Sequence, residues 1–236
     1  MTTKQRSPKP ERIKVALFDL DHTLLPIDSD HGWGAYTTEL GWTDAVDFTR
    51  RNDEFFAQYK AGALDIDAYV RFATEAIRLQ GASKSIAARA GYTSAIRQKH
   101  LKIEALELVQ RHRAAGDRLA VVTATNEFVT RPLADLFGIQ DLIAVRLERD
   151  AATGWITGAI EGTPSVRGGK VTRVEQWLAE AGFDWSDVES TFYSDSVSDL
   201  PLLEKVDHPI ATNPDDRLRD IARERGWPVL DLFKKI

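Results

Sequence analysis

The sequence predicts an α/β protein: a doubly wound, Rossmann-like parallel sheet with an inserted helical cap. Three observations predict it. Short apolar, β-branched runs recur at residues 15–18, 118–123, 189–194 and 208–212. Helically patterned stretches stand between them, as βαβ units require. From Ser29 to His100 the rhythm breaks, leaving about 70 residues of helix where a simple crossover needs only about a dozen.

In chain order, residues 15–18 (Val-Ala-Leu-Phe) form the first strand, and the chain continues as Asp19-Leu20-Asp21-His22-Thr23-Leu24, with two carboxylates just where the strand should stop. Residues 44–60, 65–80 and 84–99 pattern as helices, so 29–100 is read as the cap and 1–28 with 101–236 as the core. A helix over 103–115 leads through the Gly116-Asp117 turn into the second strand, and one over 127–137 stops at Gly138. Residues 142–148 and 155–160 read as a further strand and an adjoining ribbon. Helices over 170–181 and 215–225 stop at Gly182 and Gly226, with the third and fourth strands between them.

Composition narrows the classes of function. The 236 residues are 43% apolar and 28% charged, ordinary for a globular protein, with a net charge of −5 that offers no general attraction to nucleic acid or anionic membranes. There is no cysteine, which excludes disulfides, thiolate metal sites and a cysteine nucleophile. Met1 to Arg12 carries Lys4, Arg6, Lys9 and Arg12 with two prolines and reads as a solvated tail, since the apolar stretch after it is too short for a signal peptide. No run approaches the roughly 18 apolar residues of a membrane span. A cytoplasmic protein acting on a small metabolite is the expectation; the oligomeric state stays open.

The chemistry-bearing residues sit at the expected strand ends. Asp19 and Asp21 end the first strand, Thr123 ends the second and begins Thr123-Ala124-Thr125, Lys170 opens a helix after Arg167-Gly168-Gly169, and Asp195 and Asp199 follow the third strand. In a parallel sheet all four loops lie on one edge, where open α/β sheets bind ligands. Acids gathered there repel one another, so a cation should join them. Mg²⁺, which takes a few carboxylates plus phosphate oxygens, fits. Singly, each residue has a plainer explanation. Thr123 suits a strand, Lys170 an exposed helix start, and Asp195 and Asp199 helix caps, although Ser198 caps equally well.

This ordered set resembles the haloacid dehalogenase superfamily of phosphohydrolases: Asp-x-Asp-x-Thr as Asp19, Asp21 and Thr23, then Thr123, Lys170, and the acidic pair Asp195 and Asp199. The helical insertion after the first motif resembles that superfamily's first cap type, in the subgroup similar to phosphoserine phosphatase. The resemblance implies that Asp19 is the nucleophile, forming an aspartyl-phosphate, and that Asp21 is the general acid and base. It implies a Mg²⁺ site formed by Asp19, the main-chain carbonyl of Asp21, Asp195, Asp199 and waters, with Asp199 orienting either the metal's water or Lys170. Lys170, Thr123 and the Ala124 and Thr125 segment would bind the phosphate. Two stretches depart from the phosphoserine phosphatase pattern: Thr123-Ala124-Thr125 replaces Ser-Gly-Gly, and residues 194–199 replace Gly-Asp-Gly-x-Asn-Asp.

For the substrate's other end, the resemblance points to Asp28, nine positions after the nucleophile, where that subgroup binds an amine. Asp30, Trp33, Tyr36 and Trp42 would add charge and an aromatic wall, against the plainer reading of tryptophans as packing. A carboxylate-bearing substrate such as phosphoserine calls for an arginine, for which Arg50 and Arg51 are candidates. The expectation is an amine-bearing phosphomonoester, histidinol phosphate first. Phosphoserine, or transfer of the phosphoryl group to another acceptor, are the alternatives. A receiver-like phospho-acceptor ranks far behind, because receivers lack Asp21's counterpart and a large cap.

Overall fold

The computed structural model describes residues 12–233, apart from the side chain of Lys60. In chain order the elements are β1 (Ile13–Phe18), α1 (Ser29–Glu39), α2 (Ala45–Ala61), α3 (Ile66–Ala73), α4 (Glu75–Lys99), α5 (Ile103–Ala114), β2 (Arg118–Asn126), α6 (Glu127–Leu136), β3 (Asp141–Val145), β4 (Leu147–Arg149), β5 (Ile156–Ile160), α7 (Gly168–Glu180), β6 (Val188–Ser194), α8 (Leu200–Leu203), β7 (His208–Thr212), α9 (Asp216–Arg225) and β8 (Val229–Leu230). The tail read over Met1 to Arg12 lies outside the described residues except for Arg12, which pairs with Asp207 at 2.8 Å.

Six strands form one parallel sheet in the order β3-β2-β1-β6-β7-β8. The chain builds outward from β1 first toward β2 and β3, then toward β6, β7 and β8, so β1 sits at the point where the winding reverses. Side chains alternate between the faces of β1. Ala16 and Phe18 join a core with α5, α6 and the inserted helices, and Val15 and Leu17 join one with α7, α8 and α9. Burial on both faces explains why β1 reads as a continuous apolar run.

The helices α1 to α4 occupy the segment read as the cap, but two boundaries differ from expectation. The helix expected over 65–80 breaks at Thr74, whose buried hydroxyl donates to the Val70 carbonyl at 2.7 Å. α4 then runs on to Lys99, with a non-helical residue at Gly81 (φ 75, ψ 172) where the sequence suggested a gap. Strand β2 extends three residues past Thr123, because Asn126 pairs with Val145 of β3 after a register shift that places the extra residues on β2. The short β8 was not expected. Among the described residues, no helix is long and apolar enough to cross a membrane.

Candidate active site

The turn after β1 delivers the first two acids. The Asp19 amide donates to the Tyr193 carbonyl at 2.9 Å, carrying the β1–β6 ladder one residue beyond the strand. The chain then doubles back: the amides of Leu24 and Leu25 both donate to the Leu20 carbonyl at 2.9 Å, and His22 takes a left-handed φ of 56°. Leu20, Leu24 and Leu25 are fully buried and pin the turn, and the Asn213 side-chain amide donates to the His22 carbonyl at 2.9 Å. Asp19 and Asp21 are thereby fixed on a framework rather than left on a mobile loop.

Lys170 stands at the centre. Its ammonium donates to Asp19 Oδ1 at 2.9 Å and Asp199 Oδ2 at 2.7 Å, and the residue is only 2% exposed. Burial works against its charge, but Asp19 and Asp199 outweigh that and hold its pKa above the usual lysine range. This is the functional alternative to an exposed helix-start lysine. The preceding Gly169 is required by sterics, since a Cβ there would lie 2.0 Å from the Pro164 carbonyl oxygen.

One ammonium cannot neutralise three carboxylates. Asp19 and Asp195 are both pushed above the ordinary aspartate range, first by burial, then by Asp199 and, for Asp195, by Asp19; Lys170 opposes this in both. The Thr23 hydroxyl lies 3.5 Å from Asp19 Oδ2 and 3.4 Å from Asp195 Oδ1, so these two carboxylates converge on one spot. Counting Asp19, Asp195 and Asp199 against Lys170, the cluster is two positive charges short. Among the described residues no three His, Cys, Asp or Glu side chains close into a metal cage. Mg²⁺ needs none, because one or two carboxylates with waters and a phosphate oxygen suffice. The donor set fits that ion. The contacts of Asp199, to Lys170 and to the Ser194 hydroxyl at 2.8 Å, favour the lysine-orienting role over the metal-ligand role also expected of it.

Asp21 faces a different environment. Its Oδ1 accepts from the Ser29 amide at 2.8 Å and its Oδ2 from the Thr125 hydroxyl at 2.9 Å. Burial, then the charge of Asp28, pushes its pKa well above the usual aspartate value, and the Ser29 amide only partly opposes this. A carboxyl that holds its proton more tightly than an ordinary aspartate, close to a second carboxylate, suits acid–base chemistry. Thr125, expected at the phosphate, instead spends its hydroxyl on Asp21. It lies on the same side of β2 as Thr123, whose oxygen accepts from the Thr125 amide at 3.1 Å, leaving the Thr123 hydroxyl hydrogen for a ligand. Ala124 is exposed and borders the cleft.

These residues line a cleft of about 580 Å³ roofed by α2 and α3. Asp28 is on its rim, but its Oδ1 caps α1, accepting from the amides of Asp30 at 3.0 Å and His31 at 2.9 Å. Asp30 lies deeper. It accepts a short hydrogen bond from the Tyr69 hydroxyl through Oδ2, while its buried Oδ1 has no hydrogen-bond partner. Burial raises its pKa to about 6, with Asp28 adding to the effect and the Tyr69 bond opposing it. The expected aromatic wall is a correction: Trp33 is packed among Tyr36, Trp42, Tyr92 and Phe128, and the aromatic residues on the cleft are Phe55, Phe56, Tyr59 and Tyr69. Arg50 pairs with Asp47 and Glu54, and Arg51 with Glu75; neither lines this cleft, although Arg51 lines an adjoining pocket that shares Asp30 and Tyr69 with it. Among the described residues, Lys170 is the one Lys or Arg that does. Sequence reading missed Tyr69, Ser194 and the Ser29 amide. Ser194 had a signal in its position at the strand end, whereas Tyr69 is 39 residues from its partner and had none.

Comparison with known proteins adds to this geometry. A family model described as haloacid dehalogenase-like hydrolase matches residues 16–204. A histidinol-phosphatase of Neisseria meningitidis is 41% identical over 218 residues, covering 92% of this chain and 98% of that protein. A Mycobacterium tuberculosis protein named phosphoserine phosphatase SerB1 is 28% identical, covering 96% of this chain and 73% of its own. A solved structure of a protein of unknown function from Bordetella pertussis superposes with a TM-score of 0.88 at 46% identity, over 94% of this chain and all (100%) of that one. A substrate-bound phosphoserine phosphatase shares the fold, with a TM-score of 0.62 at 16% identity over 94% of each chain.

Proposed function

Since the chain belongs to the haloacid dehalogenase-like hydrolase family, we propose that it is a Mg²⁺-dependent cytoplasmic phosphatase acting on a small amine-bearing phosphomonoester, with histidinol phosphate first. The observation carrying this reading is a cluster short of positive charge at the sheet edge, opening onto a cap wall with half-buried Asp30 and no arginine among its described residues. A phosphoserine carboxylate would meet no guanidinium there. The relative named histidinol-phosphatase supports the same choice.

The chemistry follows from the side chains. Asp19, Asp195 and the Asp21 carbonyl would hold Mg²⁺, which would supply the positive charge that lets a carboxylate approach a phosphate dianion. Asp19 attacks phosphorus, and as its new oxygen–phosphorus bond forms, the bond to the ester oxygen breaks. Asp21 gives its proton to the departing alkoxide, then takes one from the water that splits the aspartyl-phosphate, restoring both groups. Lys170 and the Thr123 hydroxyl hold the phosphoryl oxygens. Asp199 and Ser194 hold Lys170. At the other end, Asp30 accepts the substrate's cation, with Asp28 adding charge at the rim and Tyr59 and Tyr69 flanking it.

The test is release of inorganic phosphate, with Mg²⁺, from histidinol phosphate, phosphoserine, phosphoethanolamine and phosphocholine, with Asp19→Asn as the control. The proposal expects the highest kcat/KM for histidinol phosphate and none in the variant. A preference for phosphoserine would overturn the substrate, and transfer to an acceptor without free phosphate would overturn hydrolysis.

A further inference from the structure

A second cleft, of about 410 Å³, shares no lining residue with the first and gathers five arginines, Arg89, Arg131, Arg146, Arg149 and Arg173. They come from separate elements: α4, α6, the β3–β4 junction, β4 and α7. The chain's net charge is −5, so this concentration of guanidinium runs against the overall balance.

Three of the five are occupied by the protein itself. Arg89 donates to the Phe128 carbonyl at 3.1 Å and lies over that ring, Arg131 bonds the Gln140 carbonyl at 2.7 Å and Asp135 at 2.8 Å, and Arg149 reaches Glu127 at 3.2 Å. Arg146 and Arg173 differ. Among the described residues neither side chain donates a hydrogen bond or has a carboxylate within 4 Å, although Arg173 is only 5% exposed. Burial lowers the pKa of Arg173 and the charge of Arg146 lowers it further, while Glu180, Glu127 and Glu161 act on it only from a distance. Glu127, Asp141 and Glu180 also line the cleft, but none of them pairs with Arg146 or Arg173, so two like-charged guanidiniums stand together there and an anion between them would relieve their repulsion.

We infer that this cleft is a binding site for a small polyanion carrying at least two phosphate or carboxylate groups, which Arg173 and Arg146 engage as planar forks and Arg89, Arg131 and Arg149 surround. Guanidinium is the group best matched to such bidentate contacts. Arg173 lies one helical turn after Lys170 on α7, and Arg89 comes from the inserted helices, so a bound anion would touch elements that also frame the active site.

The test is calorimetric titration of the full-length, metal-free protein with methylenebisphosphonate and, separately, tricarballylate. Without metal the acids of the catalytic cleft repel anions, which isolates the second site. One saturable site per chain is expected for at least one probe, weakened tenfold or more by Arg173→Met and by Arg146→Gln but unchanged by Arg50→Gln. Because Arg146 is exposed, its substitution leaves the fold intact even if that of Arg173 does not. Saturation by the bisphosphonate alone assigns a phosphate ligand, and by tricarballylate alone a carboxylate. No saturation by either, or saturation unaffected by Arg146→Gln, overturns the inference.

Discussion

Replacing Asp30 with Asn separates the roof of the cleft from its floor. The change is nearly isosteric, and the amide oxygen can still accept from Tyr69, so what is lost is one negative charge. A hydrogen bond to a charged group contributes about 1.5–3 kcal/mol. The variant should therefore raise KM for an amine-bearing ester roughly 10- to 150-fold while leaving p-nitrophenyl phosphate, which has no cation, within about twofold. Stability should move the other way. Burial raises the Asp30 pKa from 3.8 to about 6, so the folded protein binds this proton more tightly than the unfolded chain. The resulting penalty is absent below about pH 4, grows as pH rises, and is complete above about pH 6, where it reaches at most about 3 kcal/mol. Asp30→Asn should then match the wild type in thermal unfolding at pH 4 and exceed it at pH 8. Steady-state kinetics on both esters and melting curves at both pH values make the check. An equal loss on the two esters, or a variant less stable at pH 8, would refute the assignment of Asp30 to the substrate's cation.

The remaining predictions concern the floor of the cleft. Asp21→Asn should slow cleavage of alkyl phosphates by about 10²- to 10⁴-fold, because an alkoxide needs a proton to leave; p-nitrophenolate leaves unaided, so rapid mixing should still show a burst of it. Absence of that burst would remove Asp21 as the acid. Lys170→Met leaves Asp19 and Asp199 buried without their shared cation and should cost about 3–5 kcal/mol. The loss should be smaller at pH 5 than at pH 8, since protonation relieves the repulsion; a pH-independent loss would mean packing dominates. Gly169→Ala forces a Cβ against the Pro164 carbonyl at 2.0 Å, so α7 must shift. A destabilisation of about 1–3 kcal/mol with reduced kcat is expected, and unchanged kinetics would show that Lys170 tolerates displacement.

What could be read from the sequence was whatever depends on a residue's place along its own strand or helix. Asp19, Thr123 and Asp195 each stand where an apolar run ends, and a parallel sheet brings such ends to one edge whatever the loops between them do. Lys170 was legible for the same reason, as the first turn of a helix entering that edge. What could not be read depends on how distant segments pack. The resemblance singles out Asp28 for the amine and leaves Asp30 as added charge beside it. Asp28 becomes the cap of α1, while Asp30 faces the cleft and accepts from the Tyr69 hydroxyl, a distinction set by how α3 lies across α1. Trp33 went into the core for a related reason: Tyr36, Trp42, Tyr92 and Phe128 converge on it from three helices and the connection after α1.

Thr125 marks the boundary between the two kinds of information. Period-two alternation along β2 places it on the same side as Thr123, so its presence at the site was legible. Its acceptor was not, because Asp21 reaches it only after the turn at His22 folds back, and that turn is held by Asn213 from beyond β7. The same bond separates the duties of the two threonines. In the proposed mechanism Thr123 keeps a hydroxyl hydrogen for phosphate, and Thr125 gives its own to the carboxyl proposed to hold and release a proton. On that proposal a threonine pair on one strand serves both halves of the reaction, and a swap of Thr125 for valine should disturb proton transfer while sparing phosphate binding.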